Sequence, residues 1–72
     1  MNAQELAAAL RIAYETAPQQ DKSLHVTLFG IQYAEQLDQF IAQDICSIAG
    51  VGKWGPQLNL AKKLSRYVVL KH

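Results

Sequence analysis

The chain has 72 residues, half of them apolar and 18% charged, with a formal net charge of +1. This is the composition of a globular protein rather than a disordered one. The length suits one domain, residues 1–72, whose small core buries about 60% of the surface exposed by the unfolded chain.

No apolar run approaches the roughly 20 residues needed to cross a bilayer. The opening "MNAQELAAAL" has no basic n-region, so no secretory signal is expected. Cys46 is the single cysteine, which excludes an intrachain disulfide and a Cys-rich zinc site. His25 and His72 lie far apart, without metal spacing. The expectation is a cytoplasmic, reduced protein with no membrane association, no cofactor and no metal.

In chain order, Asn2 and Glu5 form the pattern of a capping box, opening a helix that Pro18 closes. Ala3, Leu6, Ala7, Leu10, Tyr14 and Ala17 share one face of it. Ile12 falls on the opposite face, where it packs under a loop or serves a dimer contact. After the polar connector "PQQDK", Ser23 caps a helix running to Leu37 with Leu24, Leu28, Ile31 and Leu37 inward; alternatively "LHVT" is extended and the helix starts near Thr27. Gly30 costs this helix about 1 kcal/mol relative to alanine, which points to close packing there. Phe29, Tyr33 and Phe40 read as core aromatics.

A third helix lies in "DQFIAQDICSIAG", with Asp38 or Asp44 as N-cap and Gly50 as the left-handed C-terminal residue. "VGKWG" is a corner, and Pro56 suits the first turn of a fourth helix through "QLNLAKKLSRY". β-Branched "VVLK" is a candidate short C-terminal strand, with residues 24–27 as its partner if those are extended. The expected fold is therefore mostly all-α: a compact four-helix domain containing a helix-turn-helix, with that strand as an optional addition. The chain is too short after the fourth helix for a full two-stranded wing.

Charge is unevenly spread. The first fifty residues hold all six acids and only Arg11 and Lys22 as bases; the last twenty-two hold five bases and no acid. Such asymmetry fits either a polyanion-binding surface or a fold whose basic end docks on its acidic end.

The octet "DICSIAGV" has Ile45, Ile48 and Ala49 to face inward, Gly50 for the turn and Val51 to pack after it. It resembles the "D-V-A-x-x-A-G-V" opening of repressor-type helix-turn-helix units, with two extra residues in the corner, which place Leu58 and Ala61 at the next packed positions. On the following helix Leu64 marks the centre of the buried face, flanked by Gln57, Leu60, Ala61, Tyr67 and Val68. The opposite face presents Asn59, Lys62 and Arg66, with Leu58, Lys63 and Ser65 beside it. Asn and Arg suit bidentate contact with adenine and guanine edges, and Lys suits guanine or phosphate. Lys53 is placed to neutralise a phosphate, and Trp54 to be partly buried.

Taken together, "LFGIQYAEQL", "DICSIAGV" and "LNLAKKLSRYVVL" resemble a family of small bacterial HTH-like domains that occur alone or appended to restriction and other phage-defence enzymes. The resemblance implies a helical fold in a nucleic-acid context, with Lys62, Lys63 and Arg66 on the recognition helix.

No phosphate loop, His–carboxylate constellation or paired acids suggest catalysis. The leading expectation is a regulatory or defence-associated DNA-binding module. It would contact double-stranded DNA through Lys53, Asn59, Lys62, Lys63, Arg66 and Lys71, with a homodimer or a partner enzyme adding specificity. The alternative is a helical protein-interaction module that uses its acidic first half.

Overall fold

The computed structural model describes residues 1–68, all helix, turn and loop. The helices are α1 (Ala3–Thr16), α2 (Lys22–Gln32), α3 (Ala34–Leu37), α4 (Ala42–Ala49) and α5 (Gly55–Leu64), with a single 3₁₀ turn, Gln19–Asp21, ahead of α2. The all-α expectation holds, with the four-residue α3 as an extra piece between the second and third long helices. Residues 24–27 are helical, so they are not a strand partner for "VVLK". Val68 is outside any strand, and the rest of that segment, including Lys71, lies outside the described residues.

α1 begins as its sequence requires. The Glu5 N–H donates to Asn2 Oδ1 at 2.8 Å, and the Asn2 N–H donates to Glu5 Oε1 at 3.2 Å. These two bonds satisfy donors that a helix start leaves free. Ala17 leaves the helix in an extended conformation, as a residue before proline must. Lys22 Nζ then donates back to the Tyr14 carbonyl near the helix end and lies 4.6 Å from the centre of the Tyr14 ring. Leu6, Ala7 and Leu10 are buried as expected, while Ile12 stays 64% exposed.

α2 departs from the expected pattern. It starts at Lys22, not at Ser23 or Thr27, and Ser23 caps nothing. Val26, Phe29 and Gly30 face inward, whereas Leu24 and Leu28 are exposed and Ile31 is half-buried. The segment carries two apolar stripes, and the packing partner decides between them. That partner is α5, which makes the most extensive helix–helix contact of the fold with α2. The approach is possible because residue 30 has no side chain: a Cβ there would overlap the Ala61 Cβ and lie 3.3 Å from Leu58 Cδ2.

α1 lies across α4 and α2 on the other side of the core. Leu6, Leu10, Val26, Leu37, Ile45, Cys46 and Leu58 are fully buried between these layers. Phe29 is buried as well, stacked 4.7 Å from Tyr33, and Tyr33 and Phe40 pack at the core edge.

Neither Asp38 nor Asp44 caps α4. The helix starts after Ile41 with no side-chain cap, Asp44 sits in its first turn, and Asp38 ends α3. An acid in the first turn still opposes the positive end of the helix dipole. Ile48, expected inward, is 49% exposed on the α1 side of α4, because Ala42, Ile45, Cys46 and Ala49 already fill its buried face. No helix among the described residues is long and apolar enough to cross a membrane.

Burial pushes the Cys46 thiol above its ordinary pKa of 9.0, against a smaller opposing pull from the Trp54 backbone. The neutral thiol is therefore favoured by folding. Its contribution to stability is complete below pH 9.0 and is lost as pH rises, once the unfolded chain's thiol ionises and the folded one does not. Urea unfolding between pH 7 and pH 10.5, under reducing conditions, should show wild-type stability falling faster above about pH 9 than that of Cys46→Ala.

Gly30→Ala should destabilise the domain. The overlap with the Ala61 Cβ puts the overpacking cost toward the upper end of about 1–3 kcal/mol, above the gain in helix propensity of about 1 kcal/mol. The expected drop in Tm is about 4–8 °C per kcal/mol lost, read by circular dichroism. The loss should be smaller when Gly30→Ala is made in an Ala61→Gly background.

Candidate nucleic-acid interface

The corner between α4 and α5 is held by backbone geometry. Gly50 adopts a left-handed conformation with φ of 70°, which only glycine takes without strain. Its N–H donates to the Ser47 carbonyl at 3.2 Å, and the Val51 N–H donates to the Cys46 carbonyl at 3.3 Å. This pair of bonds is the Schellman arrangement, and Val51 follows it into the core, as the octet predicts. Gly52, with φ of 101°, supplies the second bend.

Two side chains then lock the corner. Trp54 is partly buried: its Nε1–H donates to the Val51 carbonyl at 2.9 Å, and its ring meets Tyr14 edge-on at 6.0 Å. Gln43, on α4, accepts from the Gly55 N–H at 3.1 Å and reaches the Gly52 carbonyl with its amide at 3.5 Å. A Cβ at Gly55 would press on that glutamine at 2.8 Å, so the glycine keeps the start of α5 against α4. Pro56 falls in the first turn of α5 as expected. Next to it, Gln57 Nε2 donates to Ser23 Oγ at 2.8 Å and to Thr27 Oγ1 at 2.7 Å, tying α5 to α2.

α5 buries Leu58 and Ala61, as the helix-turn-helix pattern with two extra corner residues places them, and not the face centred on Leu64 that the helical wheel suggests. Gly55, Leu58 and Ala61 are buried, Leu64 is half-buried, and Leu60 is 56% exposed. The helix is rotated by roughly a quarter turn from the expected setting, at 100° per residue. The apolar run that biased the expectation, Tyr67 and Val68, is not part of the helix, which stops at Leu64; both residues are exposed. The outward face is therefore Pro56, Asn59, Leu60 and Lys63, continued by exposed Arg66 in the turn beyond the helix.

Of the candidate contacts, Asn59, Lys62, Lys63 and Arg66 come together along one open groove of about 400 Å³. Lys53 is exposed at the other end of α5, in the corner. Lys62 is turned to the flank, its side chain 20% exposed and its Nζ 3.6 Å from Asp38 Oδ1. Lys71 lies outside the described residues. Glu35 and Asp38 form the opposite wall of the groove. The charge count along the chain hides them there, and only their spacing of three on a short helix hinted at a shared edge. Among the described residues no three His, Cys, Asp or Glu side chains gather to hold a metal ion.

Among protein families, the model of the HTH-like domain matches residues 2–71. No curated protein and no solved structure matches the chain. With nearly its whole length covered, the chain belongs to the HTH-like domain family.

Proposed function

We propose that this domain is a non-catalytic DNA-binding module whose α5 is presented to double-stranded DNA. One observation carries the reading: the exposed face of α5 and its following turn hold Asn59, Lys63 and Arg66, and α5 itself contains no acid. Lys53, Lys63 and Arg66 neutralise phosphates, while Asn59 and Arg66 have the donor patterns that read adenine and guanine edges. Leu60 on the same face suits contact with a thymine methyl group. Lys62 is left out of this set, because Asp38 holds it to one side. Lys71 remains a further phosphate contact on charge alone.

A unit of this size makes few contacts, so useful specificity calls for a second copy or a partner enzyme. The family resemblance suggests a regulatory role or one tied to DNA modification and defence, in the cytoplasm of a bacterium.

A protein-interaction role is the second reading. Exposed Leu60 and Ile41 favour it, at 56% and 69% exposure, since large aliphatic side chains on an outward face are also what a protein partner covers.

The test is anisotropy of a labelled mixed-sequence duplex, titrated with protein at several salt concentrations. The expected log–log salt slope is about −3, at roughly −0.9 per phosphate contact. Lys63→Ala and Arg66→Ala should each reduce that slope by about 0.9 and weaken binding to every duplex. Asn59→Ala should leave the slope unchanged and reduce discrimination between selected and random sites by about 1–3 kcal/mol. Absence of binding at low salt overturns the DNA reading and favours the protein one.

A further inference from the structure

α5 shares its groove with two carboxylates. Glu35 on α3 and Asp38 at its end face Asn59, Lys62, Lys63 and Arg66 across it. Asp38 is the exposed partner of its ion pair, with 80% of its side chain in solvent against 20% for Lys62. Exposed pairs of this kind add little to stability. Their effect falls instead on anything charged that approaches. Lys62 already has a counter-charge, so a phosphate reaching it would have to displace a carboxylate as well as a counterion. Both carboxylates also lie within a Debye length, about 8 Å at physiological salt, of any ligand seated in the groove they line.

We propose that Asp38, supported by Glu35, is an electrostatic gate on the α5 face. It occupies Lys62 and turns phosphate away from the α3 side. Nucleic acid is thereby steered to Lys53, outside the groove, and to Lys63 and Arg66, which line it but are exposed and form no ion pair among the described residues. The gate lowers affinity for arbitrary DNA and sets one orientation of α5 on the duplex. This inference rests on the DNA reading above.

Asp38→Asn tests it, with Lys62→Ala alone and combined with Asp38→Asn, and with the double variant Glu35→Gln/Asp38→Asn. Each is first checked for a wild-type circular dichroism spectrum and then titrated against the same labelled duplex. Releasing Lys62 should add one phosphate contact: a slope steeper by about 0.9 and binding tighter on the order of tenfold near 50 mM salt. Lys62→Ala should leave the wild-type slope unchanged and remove the gain from Asp38→Asn, a dependence that a merely structural role for Asp38 does not produce.

If the wild type binds and Asp38→Asn does not alter affinity or slope, or its gain survives Lys62→Ala, the gate is overturned and the DNA reading stands. If neither the wild type nor the double variant binds at low salt, both are overturned. If only the double variant binds, the gate is upheld and DNA binding requires its release.

Discussion

The contact between α2 and α5 at Gly30 and Ala61 is the constraint on which the rest of the structure depends. Two backbones can come this close only where one residue has no side chain and the other has a single methyl group. Once they do, the rotation of α5 is decided: Ala61 must face α2, Leu58 fills the core beside it, and Leu60 and Lys63 must look outward. The same contact selects which stripe of α2 is buried, so Val26 and Phe29 go inside and Leu24 and Leu28 remain at the surface. Gln57 reinforces the choice with hydrogen bonds to Ser23 and Thr27, close to the point of approach. Packing at one glycine thus determines which functional groups α5 can offer.

Charge follows a different logic from packing. Acids and bases are segregated along the chain, and among the described residues one ion pair, Lys62 with Asp38, brings the two halves together. α3 brings Glu35 and Asp38 alongside the last turn of α5, while Lys53 remains at the corner, away from that groove. The charge asymmetry leaves two features in the fold. A basic edge is left open, and a basic end does dock on acidic residues, through Lys62 and Asp38. The result is a face with a sign gradient across it.

Much of this was legible in the residues. Asn2 and Glu5 announce the start of α1 because a capping box is a local interaction with a fixed spacing. Gly50 and Pro56 mark the corner for the same reason: each answers a backbone requirement of its own position. The rotation of α5 was legible in the helix-turn-helix pattern, which places Leu58 and Ala61 inward, but not in the helical wheel, which assumes that every apolar residue in the segment belongs to the helix. Tyr67 and Val68 broke that assumption. The buried stripe of α2 was hidden too, because two stripes of similar hydropathy differ only in what packs against them. For the candidate site, Asn59, Lys63 and Arg66 were recognisable by type. The pairing of Lys62 with Asp38 depends on a contact between residues 24 positions apart that no local pattern encodes.

The most extensive helix pairs are not neighbours in the chain. α1 packs on α4 and α2 packs on α5, so each half of the core joins distant parts of the chain, and the tie from Gln57 to Ser23 spans 34 residues. α4, the corner and α5 therefore have little core of their own: although α4 and α5 touch, most of the inner face of α4 is covered by α1 and most of that of α5 by α2. In folding, two overlapping loops must close before either half is rewarded, which favours an all-or-none transition over stepwise assembly. A fragment cut to the helix-turn-helix alone would expose Ile45, Cys46, Leu58 and Ala61 to water. The helix-turn-helix of this protein is thus inseparable from the whole chain, and its outward face is set only once α1 and α2 have packed against α4 and α5.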